Sequence, residues 1–163
     1  MSNRERNILW IGVGLSAGLV LTVALLTRKR EEALPDTSVF DSPDLPGSGQ
    51  CMDHGFLRML QELERRTGYP VFQNINSGAR TAVHNAKVGG VSNSSHKIPT
   101  CRAADIRTPN REIQRMLIIA AKVVGFRRIG IAETFIHLDN DPNKPQDVAW
   151  GYPKGAKPWM NPF

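Results

Sequence analysis

Arg128-Ile129-Gly130-Ile131-Ala132-Glu133-Thr134-Phe135-Ile136-His137-Leu138-Asp139 is the stretch on which the fold turns. Its isoleucines, and the Gly, Asn and Pro residues that bound it, read as short strands, and so does Val71 to Ile75. Two helices accompany these strands. Phe56, Met59, Leu60 and Leu63 fall at i, i+3, i+4 and i+7, and Gly68 and Pro70 end that pattern. A second helix is expected from Pro109 to Val124, with Thr108 as its cap and Pro109 in its first turn. Its buried stripe is Ile113, Met116, Leu117, Ala120, Ala121 and Val124, and Gly125 closes it. Helices and strands mix without strict alternation, which predicts a small α+β domain: helices packed on one face of an antiparallel sheet. Between Asn76 and Thr108 runs a long stretch rich in Ser, Asn, Gly and His with little periodicity. A loop of that length in a small domain is usually functional or held by a ligand.

Further out, Asn7 to Thr27 contains no charged residue. A helix of about 20 such residues, rising ~1.5 Å each, covers a hydrocarbon core of ~30 Å. The alternative is a cleaved signal peptide, but the run exceeds a usual apolar region of that kind. Thr27-Arg28-Lys29-Arg30 also follows it in place of a small-x-small site. Residues 1–30 are therefore expected to be a membrane anchor, spanning through residues 7–27. Arg4 and Arg6 on one side balance Arg28, Lys29 and Arg30 on the other, so charge alone does not orient it. Gly12, Gly14, Ser16, Ala17 and Gly18 would also allow self-association of the helix. Residues 31–50, with three Pro and no apolar period, read as a flexible linker with a reach of about 25 Å. The third part, residues 51–163, holds the globular domain.

The chain has 163 residues, 21 Lys and Arg against 15 Asp and Glu, and 2 Cys. That is room for one domain beyond the anchor, and it excludes a disulfide-dense mini-protein. The net charge of +6 is scattered rather than clustered, which argues against a nucleic-acid partner.

Three residues have metal-ligand chemistry: His96, Asp105 and His137. Two imidazoles and one carboxylate suit zinc with one position left for water, the arrangement of catalytic sites. His84 and His54 are eligible by type, and spacing alone does not separate them from the other two.

The surrounding words do. Ser77-Gly78-Ala79-Arg80-Thr81, His84-Asn85, Val88-Gly89-Gly90-Val91, Ser94-Ser95-His96, Arg102-Ala103-Ala104-Asp105-Ile106 and Phe135-Ile136-His137-Leu138-Asp139 occur in that order. From roughly Cys51 to Trp150 the chain resembles the zinc D-alanyl-D-alanine carboxypeptidase and murein endopeptidase family, which includes phage endolysins. The resemblance implies a single Zn²⁺ on His96, Asp105 and His137, and peptidoglycan as the partner. It also implies that Arg80 neutralises charge on the scissile carbonyl oxygen, that Ser94 helps bind substrate, and that His84 lies near the substrate groove off the metal.

Hydrolysis also needs a carboxylate to move the proton of the attacking water. Asp139, two residues beyond His137 on a strand, projects on the same face about 7 Å along, while Glu133 shares that parity at about 13 Å. Many members of the family place their acid three residues before the last His, where this chain has Thr134. Asp139 is the narrow preference for the base and Glu133 its rival, although Asp139 could instead fix a His ligand. Eight residues separate His96 from Asp105, where the family usually has six, and they include Cys101. Cys51 and Cys101 are candidate partners in a disulfide if the domain is exported. Two free thiols, or a Cys101 that competes for zinc, are the alternatives. Trp150, Tyr152 and Trp159 could line a groove or simply plug the core. The resulting expectation is a membrane-tethered zinc peptidase on the periplasmic or extracellular side, acting in wall remodelling or phage lysis. A non-catalytic zinc module on the same scaffold is the alternative.

Overall fold

The Asp53 carboxylate accepts from the Phe56 amide at 2.8 Å and starts helix α1, His54–Thr67. Gly68, at φ 67°, ends it in the left-handed conformation that a helix stop of this kind requires. This computed structural model describes residues 33–163, so the expected anchor lies outside the described residues. Among the described residues no helix is long and apolar enough to cross a membrane.

The second long helix starts later than its proline suggests. Asn110, not Thr108, caps α3 (Arg111–Val124) by accepting from the Ile113 amide at 2.9 Å. Thr108 instead accepts a hydrogen bond from Gln114 Nε2 at 3.0 Å. The face that α3 buries is accordingly rotated: Gln114, Leu117, Ile118 and Ala121 are buried, while Ile113, Met116, Ala120 and Val124 are only partly so. A glutamine is tolerated there because its amide is fully used. Its Nε2 also donates to the Ala132 carbonyl, and its Oε1 accepts from Trp159 Nε1 at 2.6 Å.

The sheet has five strands in the order β1-β2-β4-β3-β5. They are β1 (Ile75–Ser77), β2 (Ala103–Arg107), β3 (Arg128–Ile131), β4 (Phe135–Asp139) and β5 (Val148–Gly151). The expected antiparallel sheet is in fact mixed, because β5 pairs parallel with β3 while the other pairs are antiparallel. Val71 to Ile75 contributes only its last residue to a strand; a 3₁₀ turn at Phe72–Asn74 precedes β1. One face of the central strands carries Ala104, Ile106, Ile129, Ile131, Ile136 and Leu138. These pack with Phe56, Leu60, Leu63, Leu117 and Phe126 in a single core. Each large side chain so buried contributes about 1.5–3 kcal/mol. The alternating residues of the same strands turn to the other face, and they build the site.

Residues 34–50 are not a linker. Phe40 is fully buried and meets Phe72 edge to face at 6.1 Å, and its carbonyl accepts from the Ala79 amide at 2.8 Å. The Asp41 carboxylate accepts from the Gly47 and Gly49 amides at 2.7 and 2.6 Å. Asp44 and Ser42 accept from the Thr81 hydroxyl and amide. Asp, Ser and Gly, which read as tether composition, here satisfy the backbone of a tightly folded segment.

Cys51 and Cys101 are joined, with Cα atoms 5.8 Å apart and a separation of 50 in sequence. Bonded in this way, Cys101 cannot compete for zinc. Closing a loop of that length predicts that Cys51→Ser with Cys101→Ser lowers unfolding free energy by about 4 kcal/mol. Urea denaturation measures it, and a loss under about 1 kcal/mol would contradict the chain-entropy account.

Candidate metal centre

Strand register assembles the floor of the site. Ser77, Asp105, His137, Gly130 and Trp150 are successive cross-strand partners, running over all five strands. Asp105 and His137 are thus neighbours because β2 and β4 pair in this register, and a slip of one residue would send both into the core. Gly130 is required at its place in the row. A Cβ there would sit 2.8 Å from ring atoms of both Trp150 and Tyr152.

The third ligand comes from the loop before β2. His96 Nδ1 donates to the Gly78 carbonyl at 2.7 Å, and the backbone of His96 is tied to β1's extension by the Arg80 amide at 2.9 Å. With Nδ1 carrying the proton, His96 Nε2 presents a lone pair. It lies 3.1 Å from His137 Nδ1 and 3.3 Å from Asp105 Oδ1, and His137 Nδ1 is 2.9 Å from the same oxygen. His137 Nε2 in turn donates to Asp139 Oδ2 at 3.0 Å, which leaves its Nδ1 as a second lone pair aimed at the first. All three residues are buried.

The electrostatics agree with this geometry. Burial pushes the His96 imidazole down from its ordinary pKa, which keeps it neutral. Burial works against the charge of Asp105, yet His96 and His137 together hold its carboxyl well below the usual range. His137 is also opposed by burial, but its hydrogen bonds to Asp105 and Asp139 outweigh this and raise it.

The residues fit zinc. Three acceptor atoms with edges of 2.9, 3.1 and 3.3 Å match one face of a tetrahedron, whose donors, about 2.0–2.1 Å from the ion, lie about 3.3 Å apart. The three side chains line a cavity of about 790 Å³, together with Val88 to Val91 and Trp150 to Gly155.

Arg80 lines this cavity and is anchored to the ligand set: Nη2 donates to Asp105 Oδ2 at 2.5 Å and Nε to Ser77 Oγ at 2.8 Å. Ser94 also lines it, and its Oγ accepts from the His96 amide at 3.3 Å. His84 sits on the short helix α2 (Ala82–Lys87) and is not among the lining residues. His54 is exposed at the start of α1, away from the ligands.

The two carboxylates considered for the base are placed differently from one another. Glu133 is exposed on the turn between β3 and β4 and does not line the cavity. Asp139 grips His137 from the side opposite the other ligands. Its Oδ1 accepts from Arg128 Nε at 2.7 Å and the Asp141 amide at 3.2 Å. Burial opposes its charge, but the bond to His137 and the nearby Arg128 hold its pKa low. It orients the ligand and also lines the cavity.

Sequence reasoning missed Arg128, Gly130 and the cluster of buried Ser95 and Asp141 with half-buried Lys144, whose Nζ donates to Ser95 Oγ at 2.7 Å. Each depends on strand register or loop path and has no local signature. Trp150 and Tyr152 do wall the cavity, whereas Trp159 packs on α3.

Two outcomes test this site. Zinc at a hundredfold excess over its Kd should raise stability by about 2.7 kcal/mol. Differential scanning calorimetry reads this as a raised melting temperature that His137→Ala abolishes. Gly130→Val should cost about 1–3 kcal/mol through overpacking and displace Trp150, visible as a fluorescence change.

The model of the peptidase M15 family matches residues 36–139, from the folded segment before α1 to the Asp139 that holds the last histidine. Comparison with curated proteins and with solved structures finds no match. Matched over most of its length and carrying a buried two-histidine, one-aspartate cluster, the chain belongs to the peptidase M15 family of zinc-dependent metallopeptidases.

Proposed function

We propose that this chain is a zinc peptidase that cleaves peptide bonds of peptidoglycan stems or cross-links. One observation carries the reading: the three lone-pair donors of His96, Asp105 and His137 converge beside a cavity large enough for a peptide. A zinc ion held by them would supply a water of pKa near ~7 and polarise the scissile carbonyl.

The chain's own residues supply the rest. Arg80 brings a positive charge to the cavity and neutralises the carbonyl oxygen as it becomes an oxyanion. The same guanidinium fixes the Asp105 carboxylate through Oδ2, so the ligand cannot rotate during turnover. Asp139 keeps the proton on His137 Nε2, and with it the tautomer that leaves Nδ1 free. Trp150 and Tyr152 form an apolar wall against which a stem peptide lies while water is excluded. The uncharged run of residues 7–27 supports membrane tethering, with the domain on the periplasmic or extracellular side. The disulfide supports an oxidising compartment.

A second reading is a zinc-holding module that binds stem peptides without cutting them. It is favoured by one observation. Asp105 and Asp139 are the only carboxylates lining the cavity among the described residues, and both are engaged with histidine and arginine.

Incubation of the zinc-loaded full chain with purified peptidoglycan, followed by mass analysis of muropeptides, separates the two. The peptidase reading expects one new product series, lost with a chelator and in His137→Ala, with kcat reduced about 10²–10³-fold in Arg80→Ala. Retention on peptidoglycan with no product at any zinc concentration would establish the binding module instead.

A further inference from the structure

Arg128 belongs to none of the motifs that point to the metal centre, yet it makes three directed contacts at its edge. It stands directly opposite Asp139 in the β3–β4 register. Its side chain is 11% exposed. Nε donates to Asp139 Oδ1 at 2.7 Å, Nη1 donates to the Pro145 carbonyl, and the guanidinium lies over the Trp150 ring, 5.4 Å from its centroid. The Trp150 ring also packs on the His137 imidazole, with centroids 5.3 Å apart.

We propose that Arg128 is a positioning residue for the metal centre: acting through Asp139, it fixes the orientation of His137, and through Trp150 and Pro145 it locks the adjoining cavity wall to the same anchor. The inference rests on the reading of His96, Asp105 and His137 as metal ligands. The physical chain is short. Asp139 is 1% exposed, so its charge needs a counter-charge and its oxygens need donors. One oxygen holds His137 Nε2; the other is held by Arg128 and the Asp141 amide. With Arg128 removed, Oδ1 keeps only the amide, the carboxylate loses its counter-charge, and the imidazole loses a rigid partner. Partners of this kind typically contribute 10–100-fold to metal affinity. Lysine cannot replace the fork, since a single ammonium cannot meet Asp139 and the Pro145 carbonyl in one plane while stacking on an indole.

The alternative is that Arg128 only ties residues 141–147 to the sheet, in which case stability falls and metal binding does not. A double-mutant cycle on the full chain separates them, with zinc Kd measured by competition against a chromophoric chelator and folding followed by circular dichroism. Arg128→Gln is expected to weaken zinc binding about 10–100-fold, Asp139→Asn to do the same, and the double variant to match Asp139→Asn alone. Arg128→Lys should fall between wild type and Arg128→Gln. An Arg128→Gln protein that binds zinc within about twofold of wild type, or a loss that is undiminished in the Asp139→Asn background, overturns the inference. Should Arg128→Gln alone fail to fold, the double variant, which removes both buried charges together, and Arg128→Lys carry the same comparison. Zinc binding that His137→Ala leaves unchanged would overturn the metal centre itself, and a deficit confined to Arg128 would not.

Discussion

Three acceptor atoms within hydrogen-bonding distance of one another, with no donor among them once the tautomers of His96 and His137 are fixed, repel unless something positive sits between them. That constraint organises the molecule. Gly78 and Asp139 fix the two imidazoles from behind, Arg80 fixes Asp105, and every one of these partners is itself held by the sheet or the loop beside it. The geometry is thus imposed by the surrounding fold. This is the preorganisation that metal sites need if binding is not to be spent on ordering their ligands.

Two devices deliver this order. Across the sheet, register alone places Asp105 beside His137 and Gly130 beneath Trp150. Off the sheet, the loop that carries His96 is bounded by Arg80, whose backbone pairs with Lys97 and Ile98, and by Cys101, bonded to the turn that leads into α1. The eight residues between His96 and Asp105 would otherwise sample many conformations, and the covalent link at Cys101 removes most of them.

The His96, Asp105 and His137 cluster and the α+β class were legible in the sequence, the cluster because short motifs carried it in order. The strands flanking His137 showed in their β-branched pattern, whereas β2 did not. Ala103-Ala104-Asp105-Ile106-Arg107 is buried on both faces over its first four residues, so it shows no alternation, and it vanished into what looked like one long loop. Residues 34–50 misled for the opposite reason: their polar residues bind their own backbone, and nothing in composition distinguishes that from a solvated tether. The role of Asp139 turned on direction. Parity put it on the correct face, but only the rotation of the His137 ring shows that it stands behind the ligand. Arg128 had no signature, since its meaning comes wholly from the strand it faces.

The parallel edge strand β5 has one more consequence. The family match stops at Asp139, so the ligands, with Arg80 and Asp139 that hold them, are drawn from one stretch of chain and the aromatic wall from another, joined through Gly130 and Arg128. Insertions or exchanges beyond Trp150, in the Tyr152 to Gly155 part of the wall, can therefore reshape the cavity while leaving His96, Asp105, His137 and their supports in place, so that selectivity and chemistry drift on separate clocks.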